Sequence, residues 1–219
     1  MKLALFDLDH TLIPFDSGMA WTRHLIALGA LPPEAEPRYL DFCHQYVAGT
    51  LDIHAMHREV VLPLKAFAPE QLQAWRESFA TQMAGRLSPV MREAVMRHLA
   101  EGHTCAIVTA TSRLVAEPFA QACGIGHLVA TEPVMVDGRP DGGIDGVPCY
   151  REHKVSRVAE WLAALGALGL AQAEQSWFYS DSISDLPLLQ CVSHPVAVRP
   201  DPRLRELCLG RGWRVIDEM

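Results

Sequence analysis

The chain has 219 residues, 21% of them charged, and its formal net charge at pH 7 is −7. This length can bury the core of one α/β domain, or of one domain that carries an insertion. The acidic balance, with no basic run, argues against a surface that binds a nucleic-acid backbone. The sequence also lacks the run of about 18 apolar residues that a membrane span needs.

The N-terminus passes directly into an apolar strand and carries no cleavable signal pattern, which predicts a cytoplasmic protein. Six cysteines are scattered along the chain without CxxC spacing. In a cytosolic chain of this size we expect reduced thiols that mostly pack in the interior. The cysteine pattern therefore gives little support to a zinc site.

The first predicted strand covers residues 3–6 and opens into a loop that carries Asp7 and Asp9. Ligands of α/β proteins gather at the carboxyl ends of the strands. Two carboxylates one residue apart repel each other unless a cation lies between them or one stays protonated. This strand end is therefore predicted to be a chemical site, and Thr11 completes a DxDxT pattern.

From Ser17 to about Gly85 the sequence shows only helical periodicity. Breaks at 29–33, at 49–50 and at Pro63 divide this region into about four helices. Two apolar faces are predicted in it, one formed by Tyr39, Leu40, Cys43, Tyr46 and Val47, the other by Leu72, Trp75, Phe79 and Met83.

From Ser88 onward, helical segments alternate with short β-rich runs, which predicts βαβ units and a mostly parallel sheet. The predicted strands cover residues 105–109, 127–131, 176–180, 195–198 and 213–216. Residues 134–136, followed by Asp137 and Gly138, predict a small hairpin.

Small hydroxyl residues follow the strand at 105–109, just before a predicted helix. Free backbone N–H groups and the positive end of the helix dipole suit an anion at such a point. Helix capping by Thr111 or Ser112 is the alternative. Taken with the other motifs, the position favours phosphate binding by Thr109.

Asp181 and Asp185 follow the predicted strand at 176–180. Their spacing fits one metal-ligating carboxylate at the strand edge and a second in the following turn. Hard divalent cations such as Mg²⁺ take oxygen ligands and keep several waters, so few carboxylates suffice. The alternative for Asp185 is a cap on the short helix that follows, whereas Asp181 has no helix of its own to cap.

Lys154 falls in the first turn of a predicted helix, where the dipole slightly disfavours a cation. A nearby anion would compensate for this, and a solvated surface lysine is the alternative. The position of Lys154, between the Thr109 and Asp181 sites in chain order, favours the anion.

The segments DLDHT, IVTATS, HKVSRV and YSDSISDLPLL resemble, in this order, the four motifs of the haloacid dehalogenase superfamily. The helical region between the first two resembles its C1-type cap, and the tail AVRPDPRLRELCLGRGWRVID is similar to the phosphoserine-phosphatase-like branch, subfamily IB. The resemblance implies an α/β fold with a Rossmann-like, mostly parallel core formed by 1–15 and 86–219. An all-helical cap domain, residues 16–85, would be inserted into this core.

The resemblance also implies a phosphatase that acts on a small phosphorylated metabolite through an aspartyl-phosphate. Asp7 would be the nucleophile and Asp9 the general acid/base. The other implied roles are phosphate binding by Thr109, Ala110 and Lys154, Mg²⁺ ligation by Asp7, Asp181 and the Asp9 carbonyl, and support from Thr11, Ser184 and Asp185. Ser184 stands where phosphoserine phosphatases usually have Asn, and Ala110 where they usually have Gly.

Residues of the helical region are expected to select the substrate. Asp16 stands where phosphoserine phosphatases carry a Glu that meets the substrate amine, and capping of the helix from Ser17 is the alternative. His54, His57 and Arg58 form a polar cluster at helical spacing that suits a carboxylate or an imidazole, or else a solvated helix face. Histidinol phosphate and a phosphoserine-like compound are both open as substrates.

Two other readings of the function stay open at this point. Response-regulator receiver modules also combine clustered acids, a phosphorylated Asp, a Thr and a Lys on an α/β sheet. Such modules are much shorter, and their phosphorylated Asp lies on a middle strand of the sequence rather than the first. Transfer of the phosphoryl group to an acceptor other than water is the second alternative, and the sequence leaves the oligomeric state open.

Overall fold

A six-stranded parallel sheet forms the centre of the fold in the computed structural model, which describes residues 1–218. In spatial order its strands are β3 (His127–Thr131), β2 (Thr104–Ser112), β1 (Lys2–Phe6), β6 (Gln175–Ser180), β7 (His194–Val198) and β8 (Arg214–Ile216). A separate antiparallel hairpin consists of β4 (Pro133–Val136) and β5 (Arg139–Ile144). The predicted strands and hairpin are confirmed, except that β2 continues to Ser112.

Helices cover both faces of the sheet and fill the segment between β1 and β2. They are α1 (Ser17–Ala27), α2 (Ala35–Ala48), α3 (Ile53–Val61), α4 (Pro69–Met83), α5 (Pro89–Ala100), α6 (Arg113–Cys123), α7 (His153–Ala164), α8 (Leu186–Leu189) and α9 (Pro202–Arg211). Among residues 1–218, none of the helices is both long and apolar enough to cross a membrane. All six cysteines are free thiols, as expected.

Strand β1 lies in the middle of the sheet and is buried on both faces. Ala4 and Phe6 belong to the apolar cluster on one face, and Leu3 and Leu5 to the cluster on the other. Successive side chains of a strand point to opposite faces, so a continuous apolar run suits a strand that is covered on both sides.

The strand order brings three carboxyl ends together. The chain moves outward from β1 to β2 and β3 and then returns to β6 on the other side of β1. Phe6, the last residue of β1, pairs with Ile107 of β2 and Tyr179 of β6. The point where the strand order reverses is where open α/β sheets bind ligands. The residues at or just after the carboxyl ends of β1, β2 and β6 therefore meet at one edge of the sheet.

Four helices, α1 to α4, occupy the region where about four were predicted. The apolar face of α4 is confirmed, since Leu72, Phe79 and Met83 are buried. The face predicted for α2 is partly wrong, because Leu40 is 45% exposed and Val47 is 82% exposed. Tyr39 of the same predicted face is buried where α2 packs against α1 and α3, whereas Leu40 and Val47 lie toward solvent.

The helical segment shares an apolar cluster with the α/β part of the chain. The ring of Phe79 lies edge-on to Trp21 of α1, at a centroid distance of 5.1 Å, and to Phe119 of α6, at 5.8 Å. On another side, β5 approaches the end of α3 so closely that a Cβ on Gly142 would lie 2.9 Å from the Leu62 side chain. The division into a core (1–15, 86–219) and a cap domain (16–85) stays a prediction.

Phe79 provides a test of how much this shared cluster contributes to stability. Phe79→Ala removes a fully buried ring and leaves a cavity, so we expect the free energy of unfolding to fall by about 3–5 kcal/mol. The control is Val47→Ala, which truncates an exposed side chain and should change stability by less than about 0.5 kcal/mol. Equilibrium urea unfolding of both variants gives the comparison, and equal stabilities would contradict the assigned packing.

Candidate active site

A buried lysine joins two carboxylates at the edge of the sheet where β1 and β6 end. The ammonium of Lys154 donates to Asp7 Oδ1 at 2.8 Å and to Asp185 Oδ2 at 2.7 Å. Asp7 is held in place because its own N–H donates to the Tyr179 carbonyl at 2.9 Å. The Lys154 side chain is only 3% exposed, so the interpretation as a solvated surface lysine is wrong.

Asp185 supports Lys154 rather than capping a helix. Its Oδ2 also accepts a hydrogen bond from the Ser180 hydroxyl at 2.7 Å. The residue precedes α8, but its side chain makes no capping hydrogen bond, so the capping interpretation is wrong. Within residues 1–218, the second oxygen, Oδ1, is buried and has no hydrogen-bond partner.

The carboxylates crowd one another around a single ammonium. Burial raises the pKa of Asp7 to about 7, and Asp185 and Asp9 add to this, while Lys154 opposes it. Burial, followed by the charge of Asp7, raises the pKa of Asp181 well above its usual value. Burial lowers the pKa of Lys154, but Asp185 and Asp7 outweigh it and keep that pKa well above the ordinary value. The negative charge around Lys154 thus exceeds what one ammonium balances.

These residues fit a hard divalent cation such as Mg²⁺. Asp7 and Asp181 offer carboxylate oxygens, which are the ligands Mg²⁺ takes in proteins. The unpartnered Asp185 Oδ1 is a natural acceptor for a water of such an ion, which usually keeps several waters. The Thr11 hydroxyl lies 3.4 Å from Asp181 Oδ1 and donates to it.

Asp9 is held on both of its side-chain oxygens. Oδ1 accepts from the Ser17 N–H and Oδ2 from the Thr111 hydroxyl, each at 2.6 Å. This role of Thr111 was not predicted from the sequence, in which its only signal is a hydroxyl next to Ala110. The capping alternative for the hydroxyls before α6 is wrong, because Thr111 bonds to Asp9 and Ser112 makes no capping bond.

Beyond Val108 the pairing of β2 with β3 is irregular, and this end of the strand, residues 109–112 (called here the loop of β2), is fixed by hydroxyl hydrogen bonds. Thr109 is 1% exposed, and its Oγ1 accepts from the Thr111 N–H at 3.1 Å. Thr131 of β3 donates from its hydroxyl to the Ala110 carbonyl at 2.7 Å. The loop leads directly into the N-terminus of α6, where backbone N–H groups and the helix dipole favour an anion.

Asp16 caps α1, so the capping interpretation is confirmed. Its Oδ1 accepts from the Met19 N–H at 2.7 Å and from the Tyr39 hydroxyl at 2.9 Å. Burial, together with the charge of Asp9, raises the pKa of Asp16 to about 7. Two hydrogen bonds therefore fix the carboxyl group at a position where it feels the charge of Asp9.

The polar cluster predicted on α3 divides between two faces of the helix. His54 and Arg58 are exposed, in agreement with a solvated helix face, whereas His57 is only 4% exposed. His57 lines a cavity between α3 and the loop of Ala110 to Ser112. Spacing alone could not show which member of the cluster turns inward.

The helical segment also contacts the loop after β6. The Tyr46 hydroxyl of α2 lies 2.6 Å from the Ser184 hydroxyl and donates to the Ser182 hydroxyl at 3.1 Å. Arg151 donates to the Gly49 carbonyl at 2.7 Å. Helix α2 and the turn that follows it are thus tied to the α/β part beside the site.

Comparison with known proteins gives a consistent result. The family model of the haloacid dehalogenase-like hydrolases matches residues 4–190. A histidinol-phosphatase of Neisseria meningitidis is 36% identical, over 99% of this chain and 98% of its own length. This similarity favours an enzyme over a signalling module.

Solved structures agree in the fold. A protein of unknown function from Bordetella pertussis is 43% identical, with a TM-score of 0.90 that covers 99% of this chain and 98% of that one. A phospho-aspartyl intermediate analogue of phosphoserine phosphatase has a TM-score of 0.68 at 18% identity, over 100% of this chain and 93% of that one. At this identity the second likeness concerns the fold alone.

Removing the ammonium of Lys154 should lower the stability of the folded protein, measured with chelator present. Lys154→Met leaves Asp7 and Asp185 without their cation, so we expect the free energy of unfolding to fall by about 3–5 kcal/mol at pH 8. Lys65→Met, at an exposed lysine, is the control and should have little effect.

The loss of stability in Lys154→Met should be smaller at lower pH. Because the folded-state pKa of Asp7 is raised to about 7 from 3.8, the folded protein takes up a proton that the unfolded chain does not bind between these values. This favours folding as the pH falls from 8 to 5, most of all where no lysine offsets the charge. Urea unfolding at both pH values measures it, and a larger deficit at pH 5 would contradict the assignment.

Proposed function

Because the chain belongs to the haloacid dehalogenase-like hydrolases and is a phosphatase of that family, we propose that it cleaves its phosphomonoester through an aspartyl-phosphate on Asp7, with Mg²⁺ as cofactor. The observation that carries the proposal is the buried contact of Lys154 with Asp7 and Asp185, beside Asp181. A lysine and a divalent cation together would offset both these carboxylates and a phosphate dianion. We propose an amino-alcohol phosphate as substrate.

Asp7 acts as the nucleophile in this proposal. A carboxylate oxygen of Asp7 attacks phosphorus, and the bond from phosphorus to the alcohol oxygen breaks. Mg²⁺, held by Asp7, Asp181 and the Asp9 carbonyl, would supply positive charge that lowers the repulsion between the carboxylate and the phosphate. Lys154 and the backbone N–H groups around Thr109 and Ala110 would hold the remaining phosphate oxygens.

Asp9 transfers the protons. In its protonated form it donates to the departing alcohol oxygen, and then, ionised, it takes a proton from the water that hydrolyses the aspartyl-phosphate. Such acid/base assistance is typically worth about 10²–10⁴-fold in rate. The hydrogen bonds from Ser17 and Thr111 fix the carboxyl group for this task.

The helical segment 16–85 acts as the cap in this proposal and chooses the substrate. Its contacts through Tyr46 and Gly49 close it against the α/β part, which would exclude bulk water during turnover. Asp16 is the proposed partner of a substrate amine, since its carboxyl group is fixed near Asp9. The 36% sequence identity to a histidinol-phosphatase supports histidinol phosphate as the substrate, a compound that has an amine and no carboxylate.

The metal assignment predicts how activity responds to ions. Phosphate release from histidinol phosphate should stop in excess chelator and return when Mg²⁺ is added. Ca²⁺ should inhibit in the presence of Mg²⁺, because its six to eight oxygen ligands favour engaging both oxygens of Asp7, including the one that attacks. A colorimetric phosphate assay measures both effects, and full activity in chelator would refute the metal assignment.

The two aspartates of the first loop should differ in trapping experiments. With substrate labelled in the phosphate, Asp7→Asn should carry no label, because the nucleophile is gone. Asp9→Asn should turn over more slowly by about 10²–10⁴-fold, through slower departure of the alcohol and slower hydrolysis. Asp41→Asn, at an exposed residue of α2, is the control and should behave as wild type. Label bound to Asp7→Asn protein would overturn the nucleophile assignment.

A further inference from the structure

A cavity of about 30 Å³ lies between α3 and the start of α6, next to the loop proposed to hold the phosphate. Ala110 and Thr111 line one side of it, and Thr111 also contacts Asp9 through its hydroxyl. The cavity therefore borders the place where the alcohol part of a phosphomonoester would leave. Its apolar walls are Ile53, Met56, Val60 and Val115.

Two buried polar side chains on this cavity lack partners. Within residues 1–218, neither His57 Nε2 nor Ser112 Oγ has a hydrogen bond, although the residues are only 4% and 7% exposed. Leaving a buried polar atom unpaired is unfavourable, so two such atoms at one cavity call for an explanation. The other hydroxyls that line it are already engaged, Tyr39 with Asp16 and Thr111 with Asp9.

His57 offers a lone pair rather than a positive charge. Burial lowers its pKa to about 4, while a hydrogen bond with the Gly143 backbone opposes the shift, so the ring is neutral at pH 7. Nε2 is the ring nitrogen that is buried without a partner, so in the neutral ring with its proton on Nδ1 it offers an acceptor. The residues that line the cavity include no lysine or arginine, so a carboxylate would find no counter-charge there.

We propose that this cavity selects the alcohol, with His57 Nε2 accepting a hydrogen bond from an N–H group and the Ser112 hydroxyl donating to a second ring atom. A small planar heteroaromatic ring with one donor and one acceptor, such as imidazole, would give both His57 Nε2 and Ser112 Oγ a hydrogen-bond partner and pack against the apolar walls. The unbranched Met56 side chain has the freedom to move aside for it. The inference rests on the phosphatase function proposed above and deepens it, because it favours histidinol phosphate over phosphoserine.

The test compares substrates that differ only in what they place in the cavity. Histidinol phosphate carries the ring, phosphoethanolamine has the amine but neither ring nor carboxylate, and O-phosphoserine carries a carboxylate. His57→Leu should lower kcat/KM for histidinol phosphate about 10-fold or more and leave phosphoethanolamine within about twofold. Ser112→Ala should act in the same direction, and His54→Leu, on the exposed face of α3, should change neither substrate.

Equal losses on both substrates, or an unchanged ratio in His57→Leu, would overturn the assignment. Calorimetric titration with histidinol decides the same question without turnover, since wild type should bind it and His57→Leu should bind it at least about 10-fold more weakly. Wild type should also bind histidinol more tightly than serine, a comparison that stands even if His57→Leu fails to fold, and equal binding would refute the cavity. A wild type that cleaves none of the three phosphates would instead defeat the proposed function.

Discussion

The contact of Lys154 with Asp7 and Asp185 is the constraint around which the site is built. Breaking such a buried pair costs several kcal/mol, because the partners are left as buried charges. The first turn of α7, which carries the lysine, must therefore lie against the edge of the sheet where β1 and β6 end. The same requirement explains why β1 is central, since its two neighbours supply the remaining polar groups.

Packing inside the helical segment also determines where some of its side chains lie beside this site. Gly18 illustrates the connection, since a Cβ there would overlap the Tyr39 hydroxyl, which reaches past it to Asp16. Any larger residue at this position would displace Tyr39 and with it one side of the cavity beside Ala110. The hydrogen bond from Tyr39 to Asp16 thus links the packing inside the helical segment to the position of the Asp16 carboxyl group.

Residues whose place follows from a strand end or from the order of the motifs could be predicted from the sequence. Residues that are positioned by packing against a distant part of the chain could not. Asp7, Asp181 and Lys154 were identifiable because strand ends and motif order place them, and the structure brings them together. The burial of His57, by contrast, belongs to a helix that packs against the hairpin strand β5, which lies far along the chain. Val47 was misjudged for a related reason, since an apolar residue on a helix is buried only where a partner covers that side.

The two sides of the helical segment are held by different forces. Toward α6 it is held by aromatic rings in an apolar cluster, among them Phe79 and Phe119, whose burial is worth several kcal/mol. Toward the loop after β6 it is held by polar contacts such as that of Tyr46 with Ser184, each worth about 0.5–1.5 kcal/mol net. Helix α3, with His57, lies on this second side, where Ile53 also packs with Tyr150 in a smaller apolar cluster. The residues proposed to select the substrate thus lie on the helical segment, whereas the carboxylates proposed to carry the chemistry lie at the edge of the sheet.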